Sequence, residues 1–234
     1  MFDVADSLQG LLPGLATSIQ MTLAAVAVGI PLGFLAGLAL NGKRRVPRVA
    51  ARILVEIFRG FPALLTLYLV YFGLTQLVAI DRFASITVAF GVTVAAYTAE
   101  IFRAAIASVP KGQLEAAAAL AMDGWQTTFR IIVPHVARVV VPPILGIVII
   151  AFQGTALAYA IGGKELMGSA YSRGITTFQM LPELLTAAFL YLVVTSMLAW
   201  LEVITDKRAA RIAGVQRPRG RAGRTAGLRT RSSV

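Results

Sequence analysis

Few side chains in this chain are equipped for covalent chemistry. Its 234 residues contain no cysteine and a single histidine, His135. That excludes a disulfide framework, thiolate metal sites, a cysteine nucleophile and His-rich metal centres. His135 directly follows Pro134, and an interfacial histidine with its hydrogen bonds satisfied explains it better than catalysis. No phosphate-cradling G-x-x-x-x-G-K-[ST] loop occurs. The 11 Asp and Glu residues avoid the middle of every long apolar run. Carboxylates buried in such runs would mark ion or proton paths. Glu100 stands three residues before Arg103, a spacing that pairs them on one helix face.

The most regularly patterned polar segment is 105–138. Pro110 and Gly112 punctuate its start. Residues 113–122 are helix formers with Leu114, Ala117, Ala118 and Ala121 on one side. Asp123-Gly124 reads as a turn, and a second short helix is expected from Trp125 to about Ile132, ending before Pro134. Small and aromatic surface residues on two short helices suit docking into a partner's groove. A loop packed on its own chain remains open on the residues alone, and Trp125 is expected to pack there or at an interface.

These groups must be positioned by very apolar elements. The chain is 57% apolar and 14% charged, with a mean hydropathy of +0.76. A soluble domain carries about 25% charged residues, so this chain could not cover its surface in water. Uncharged runs of 36, 21, 17, 25 and 18 residues separate Asp6 from Lys43, Arg59 from Asp81, Arg82 from Glu100, Arg138 from Lys164, and Glu183 from Glu202. Crossing a bilayer core takes roughly 20 residues, with about 17 the minimum. These runs do not alternate as barrel strands do, so five transmembrane helices are expected, at about 14–40, 60–80, 83–104, 139–160 and 184–204.

The connecting segments then alternate between sides. Lys and Arg number 19 on one side and 3 on the other. The positive-inside rule puts the N-terminus outside and the C-terminus in the cytoplasm. Residues 1–13 read as an extracytoplasmic N-terminal segment and 14–205 as the membrane domain, with its cytoplasmic loop at about 105–138. Residues 206–234 form a basic tail, expected to be disordered and attracted to anionic headgroups rather than nucleic acid. The net charge of +11 is thus a topology signal, not the mark of a soluble nucleic-acid binder. No basic n-region or small-residue cleavage site precedes the first span, so that span is expected to remain in the mature protein.

Within the spans, Gly29, Gly33 and Gly37 form a doubled GxxxG, and Gly91, Ala95 and Ala99 repeat the spacing. Such stripes allow close helix approach, either inside this chain or between subunits. Pro142 and Pro143 should kink the fourth span or delay its start. Gly162-Gly163 reads as a helix-ending turn. Lys164 and Glu165 are expected in a solvated loop, with contact to an external protein the less favoured reading.

Several motifs in order resemble the permease subunits of ABC importers. Glu115-Ala116-Ala117, the small residue Ala121, Ile131 and Val133-Pro134 resemble the family's EAA loop, with Ala121 in place of its Gly and Val133 in place of its Leu. Glu56-Ile-Phe-Arg-Gly-Phe-Pro62, Tyr71-Phe72-Gly73, Ala96-Tyr-Thr-Ala-Glu-Ile-Phe-Arg103 and Val109-Pro-Lys-Gly-Gln-Leu-Glu-Ala-Ala117 resemble its polar amino-acid branch. The resemblance covers roughly 14–205. It implies the type I ABC importer permease fold, an all-α membrane protein in a bacterial inner membrane.

It also implies a division of labour. Two permease subunits, alike or different, form the path, and two cytoplasmic ATPases bind ATP and Mg. An extracytoplasmic solute-binding protein delivers a polar amino acid or related zwitterion. No cofactor is expected in this chain, and no enzymatic activity. Gly112, Glu115, Ala116, Ala117, Ala121, Asp123 and Gly124 would couple to the ATPase.

In relatives, the positions of Thr93, Tyr97, Gln153, Gly154 and Thr155 lie near the bound amino acid. Here Thr93 replaces a common Asn, and Gly154 replaces an acid. The polar side chains left for the solute are Thr93, Tyr97, Gln153 and Thr155, though both threonines could simply bond their own helix. An ATP-independent carrier or channel is the rival reading, disfavoured by the missing intramembrane carboxylates. An opine or osmolyte-like amine is the rival cargo.

Overall fold

In a computed structural model the described residues are 3–74, 76–78 and 80–212, with side chains as far as Ala209. Among them all regular structure is helical. Helix α1 spans Val4–Asn41, α2 Arg45–Gly60 and α3 Ala63–Tyr68. Next come α4 (Arg82–Ala107), α5 (Lys111–Ala119), α6 (Gly124–Thr127) and α7 (Val133–Gly154). Helices α8 (Leu166–Thr177) and α9 (Met180–Ile212) complete the order.

Four stretches are long and apolar enough to span a bilayer: Val4–Asn41, Arg82–Ala107, Gly124–Ile161 and Met180–Ala209. A fifth passes only as a pair, Arg45–Gly60 with Ala63–Leu74, bent by 107°. The continuous second span expected at 60–80 is therefore corrected. Phe61 is extended and Pro62 caps α3, because the residue before a proline is driven out of the helical region. The segment Ala63–Leu74, which ends in a π-turn from Leu69, rises only about 18 Å at 1.5 Å per residue.

Other boundaries shift for identifiable reasons. Asp3 accepts hydrogen bonds from the backbone N–H groups of Ala5 and Asp6, so α1 starts at Val4 rather than near 14. The fourth span begins far earlier than 139. Trp125–Ile132 does not end before Pro134 but runs through a π-turn at Thr128–Ile132 into α7. Pro134 has no N–H to give and stands just past the π-turn, whose wider bonding, Val133 N–H to the carbonyl of Thr128, carries the helix to it. Helix α9 continues through Ile212, so 206–212 are helical, and the rest of the basic tail lies outside the described residues.

The small-residue stripes meet each other inside the chain. A Cβ on Gly29 would stand 2.6 Å from Val94 and 2.7 Å from the carbonyl oxygen of Gly91. One on Gly33 would strike the hydroxyl of Thr98, and one on Gly37 would lie 2.6 Å from Cβ of Phe102. Helix α1 can follow α4 this closely only without side chains at those positions. Phe34 closes the seam edge-on against Phe102, with ring centroids 5.2 Å apart.

The bundle has two chemically different ends. At one, Asn41 donates to the backbone oxygen of Arg103, and α2 and α5 follow directly. At the other, α8 packs between the N-terminal parts of α1 and α9, burying Leu11, Leu166, Ala170, Ala187 and Leu190. Helix α8 went unread in the sequence because its apolar stretch is short and flanked by charges.

Candidate functional site

Helices α4 and α7 diverge around a cleft of about 460 Å³. Helix α4 lines it with Phe90, Thr93, Val94 and Tyr97, a three-and-four spacing that puts them on one face. Helix α7 contributes Ile147, Ile150, Ala151, Gln153 and Gly154, and Ala63 of α3 and Leu157 complete the wall. The lining is mostly apolar with a few convergent polar groups, the usual character of a small-molecule site.

Three of the four polar residues assigned to the solute thus share one cavity: Thr93, Tyr97 and Gln153. Thr93 also donates to the carbonyl of Ala89, at 2.9 Å. Thr155 does not belong with them. At Thr155 the helix tightens into a 3₁₀ turn running to Ile161. Its side chain is fully buried and donates to the carbonyl of Phe152 at 2.7 Å. Gly154 faces open space, since nothing lies within 4 Å of an added Cβ.

At the basic end, α5 presents Gly112, Glu115 and Ala116 to the outside while Ala117 is buried. The helix closes in a Schellman arrangement. Met122 N–H donates to the carbonyl of Ala117 and Ala121 N–H to that of Ala118, both at 3.0 Å. Ala121 then sits at φ 52°, in the left-handed region where a glycine is free of Cβ strain. A Gly, as in the family pattern, would suit this conformation; Ala121 holds it with a Cβ. Asp123 does not form a turn with Gly124 but caps α6, accepting from Gln126 N–H at 2.7 Å. Leu120 and Trp125 are 77% and 72% exposed, and Trp125 stacks on Phe129 with centroids 4.0 Å apart. His135 Nε2 lies 3.2 Å from Ser108 Oγ, and Arg103 pairs with Glu100 at 2.7 Å.

The far end holds two buried carboxylates that sequence reasoning misplaced or missed. Glu165 is not in a solvated loop: it is 0% exposed and caps α8 through the N–H groups of Met167 and Gly168. Tyr191 donates to it at 3.1 Å. Burial pushes the Glu165 carboxyl above the usual carboxylate range, against those hydrogen bonds. Glu183 is 2% exposed and pairs with Arg173, which also reaches Asp6 at 2.6 Å. That bond to Asp6 holds the Arg173 guanidinium protonated above its ordinary value. Lys164 remains exposed, and Gly162 ends the preceding turn at φ 76°.

The described helices thus form a bundle with an apolar cleft between two spans and a short helix displayed at its basic end. Residues 29–211 match the model of the binding-protein-dependent transport system inner membrane component family. The chain belongs to that family, and it is a multi-pass bacterial membrane protein with the type I ABC importer permease fold. It is 33% identical over 200 residues to the L-cystine transport system permease protein TcyB of Bacillus subtilis, covering 85% of this chain and 86% of the relative. It is 34% identical over 217 residues to the glutamate/aspartate import permease protein GltK of Escherichia coli, covering 88% and 96%. A solved structure described as an amino acid ABC transporter with histidines superposes with a TM-score of 0.79 at 26% identity. That match covers 89% of this chain and 99% of the other.

Proposed function

We propose that this chain lines the membrane path of an ATP-driven importer for a polar amino acid or a related small zwitterion. One observation carries the reading: Thr93, Tyr97, Gln153 and Gly154, far apart in sequence, converge on a single cleft between α4 and α7. The glutamate/aspartate, cystine and arginine permeases among its relatives support the amino-acid class. The chain carries no phosphate loop, so ATP and Mg belong to two partner ATPases, and no cofactor is assigned to this chain. A second permease subunit and an extracytoplasmic binding protein complete the assembly; nucleic acid has no part in it.

Force enters through α5. Glu115, Ala116, Leu120 and Trp125 are exposed around a short helix on the basic end. Closure of the ATPase pair would move that helix and rock the spans between inward-open and outward-open states around the cleft. The positive-inside rule makes this end cytoplasmic and places the N-terminus outside. The test is Glu115→Lys in the assembled importer. The protein should insert and accumulate normally, with ATP hydrolysis no longer stimulated by loaded binding protein and uptake lost. Full uptake by that variant would overturn the coupling role.

A further inference from the structure

Helix α2 is divided lengthwise by chemistry. Arg45, Arg48 and Arg52 recur at three and four residues, so they stand on one side. Lys43 and Arg44 precede them in the link from α1. Of these five cations all but Arg48 are exposed, and among the described residues none pairs with an acid. Glu56, one turn beyond Arg52, is the single acid of the helix. Val46, Val49, Ile53 and Leu54 are each more than half exposed. Val55, by contrast, is buried with Leu40 and Ala99, which fixes α2 beside the last turn of α1.

Along this helix runs a groove of about 450 Å³ between α1, α2 and α4. Leu32 and Leu35 of α1, Pro47, Leu54 and Phe58 of α2, and Val92 of α4 border it, and every lining residue is apolar. Pro47 directly precedes Arg48, so the cations gather at one end of the groove. The occupant must therefore join an anionic head to a hydrocarbon body. An acidic protein segment satisfies the cations but not a wall without a polar group. A second copy of this chain fits worse, since a two-fold contact sets the same patch against itself, arginine against arginine. A helix with a basic side and an apolar side lies naturally at the headgroup boundary.

We propose that this groove binds an anionic phospholipid of the leaflet at the basic end. Arg44, Arg45 and Arg48 hold its phosphate, and one acyl chain lies between α1 and α2. The site is separate from the cleft and does not depend on the solute path.

The experiment uses the complete importer in phosphatidylcholine vesicles containing a trace of phosphatidylglycerol with a photoreactive diazirine on one acyl chain. After irradiation, adducts are mapped by mass spectrometry. They should concentrate on residues 32–39 and 47–58. Added unlabelled phosphatidylglycerol should compete them away, although phosphatidylcholine is already in excess. Arg44→Gln, Arg45→Gln and Arg48→Gln combined should cut this labelling by about tenfold or more, since each cation near an anionic surface is worth about fivefold in affinity. The same three positions changed to Lys should keep most of it.

A photoreactive phosphatidylcholine that labels these peptides equally well would reduce the groove to ordinary lipid-facing surface and overturn the inference. Labelling by the phosphatidylglycerol probe that is indifferent to the Gln substitutions would overturn it too. So would peptides free of adduct in wild type; a cross-link from Leu54→p-benzoylphenylalanine to a second subunit would then identify that subunit as the occupant.

Discussion

Glu183, near the start of α9, accepts a 2.7 Å hydrogen bond from the hydroxyl of Ser7 on α1, 176 residues earlier in the chain. The same carboxylate faces Arg173 of α8 at 3.2 Å, and Arg173 also holds Asp6. One buried acid thus ties the first and last spans to the intervening helix. The first turns of α1 are anchored this way, instead of trailing free ahead of the membrane.

Removing one partner of a buried pair leaves an uncompensated charge, at a cost of about 3 kcal/mol. Arg173→Ala should therefore destabilise the detergent-solubilised protein by roughly that amount. Adding Glu183→Gln to it should recover much of the loss, because the amide can still accept from Ser7 without carrying a charge. Denaturant titration of the four members of this cycle measures the coupling; strictly additive losses would show that the pair contributes nothing.

Glu165 gives the α8 end of the bundle a pH dependence of defined sign. Its carboxyl is raised from an ordinary value of 4.5, chiefly by burial. A raised folded-state pKa favours the protonated fold. The contribution is complete below pH 4.5 and is lost as pH rises through the folded-state value. Around the carboxyl stand Ser18 of α1, Tyr191 of α9 and the first N–H groups of α8. Thermal stability should therefore increase on mild acidification from neutral pH, and Glu165→Gln should flatten that slope. A slope unchanged in the variant would assign it to other carboxylates.

Ala121 carries the backbone strain at the end of α5. A left-handed conformation costs an L-residue with a Cβ about 1–2 kcal/mol, and glycine escapes most of it. Ala121→Gly should stabilise the α5 cap by about 1 kcal/mol, which slower hydrogen exchange at the Ala121 and Met122 amides would show. Faster exchange there would mean that the loop gains more from the stiffness of Ala than it loses to strain.

What the sequence disclosed follows from the range of each interaction. Spans α4 and α9 were legible because lipid imposes long uncharged runs, and the seam of Gly29, Gly33 and Gly37 because backbone approach demands small residues at fixed spacing. The second span misled because hydropathy runs smoothly across Gly60–Pro62 while the backbone turns there. Helix α2 lies between two uncharged runs and shows only as charge in the sequence. Yet its arginines at 45, 48, 52 and 59 share one side, and Val46, Ile53, Leu54 and Ile57 are exposed on another.

Glu165 and Glu183 could not be recognised as buried, because the groups that satisfy them come from other helices. Thr155 enters the solute set only through the resemblance; where α gives way to 3₁₀ geometry its hydroxyl bonds the carbonyl of Phe152, the alternative the residues left open. Tyr97 and Gln153 both border the cleft, since α4 and α7 remain regular where they project.

The α1–α4 seam predicts a steep size dependence. At Gly33 an added Cβ meets Thr98 and the carbonyl of Ala95, so even Ala must displace something. Overpacking of this kind costs about 1–3 kcal/mol. Gly33→Ala should lower the unfolding midpoint, and Gly33→Leu should lower it further. Gly73, with nothing near its missing Cβ, should accept Ala with a much smaller effect. Equal midpoints for the Gly33 and Gly73 variants would count against a tight seam.

Gly154→Asp tests the electrostatics of the cleft. There is room for the side chain, since no atom lies within 4 Å of the added Cβ. A carboxylate there is a partner for an ammonium group. Uptake of a cationic amino acid should rise relative to a neutral one, by about tenfold if one ion-paired hydrogen bond is gained. Uptake of an anionic amino acid should fall. The competition is read by offering arginine, glutamine and glutamate to vesicles with the binding protein held constant. Unchanged ratios among the three would place residue 154 away from the moving solute, even though it borders the cleft.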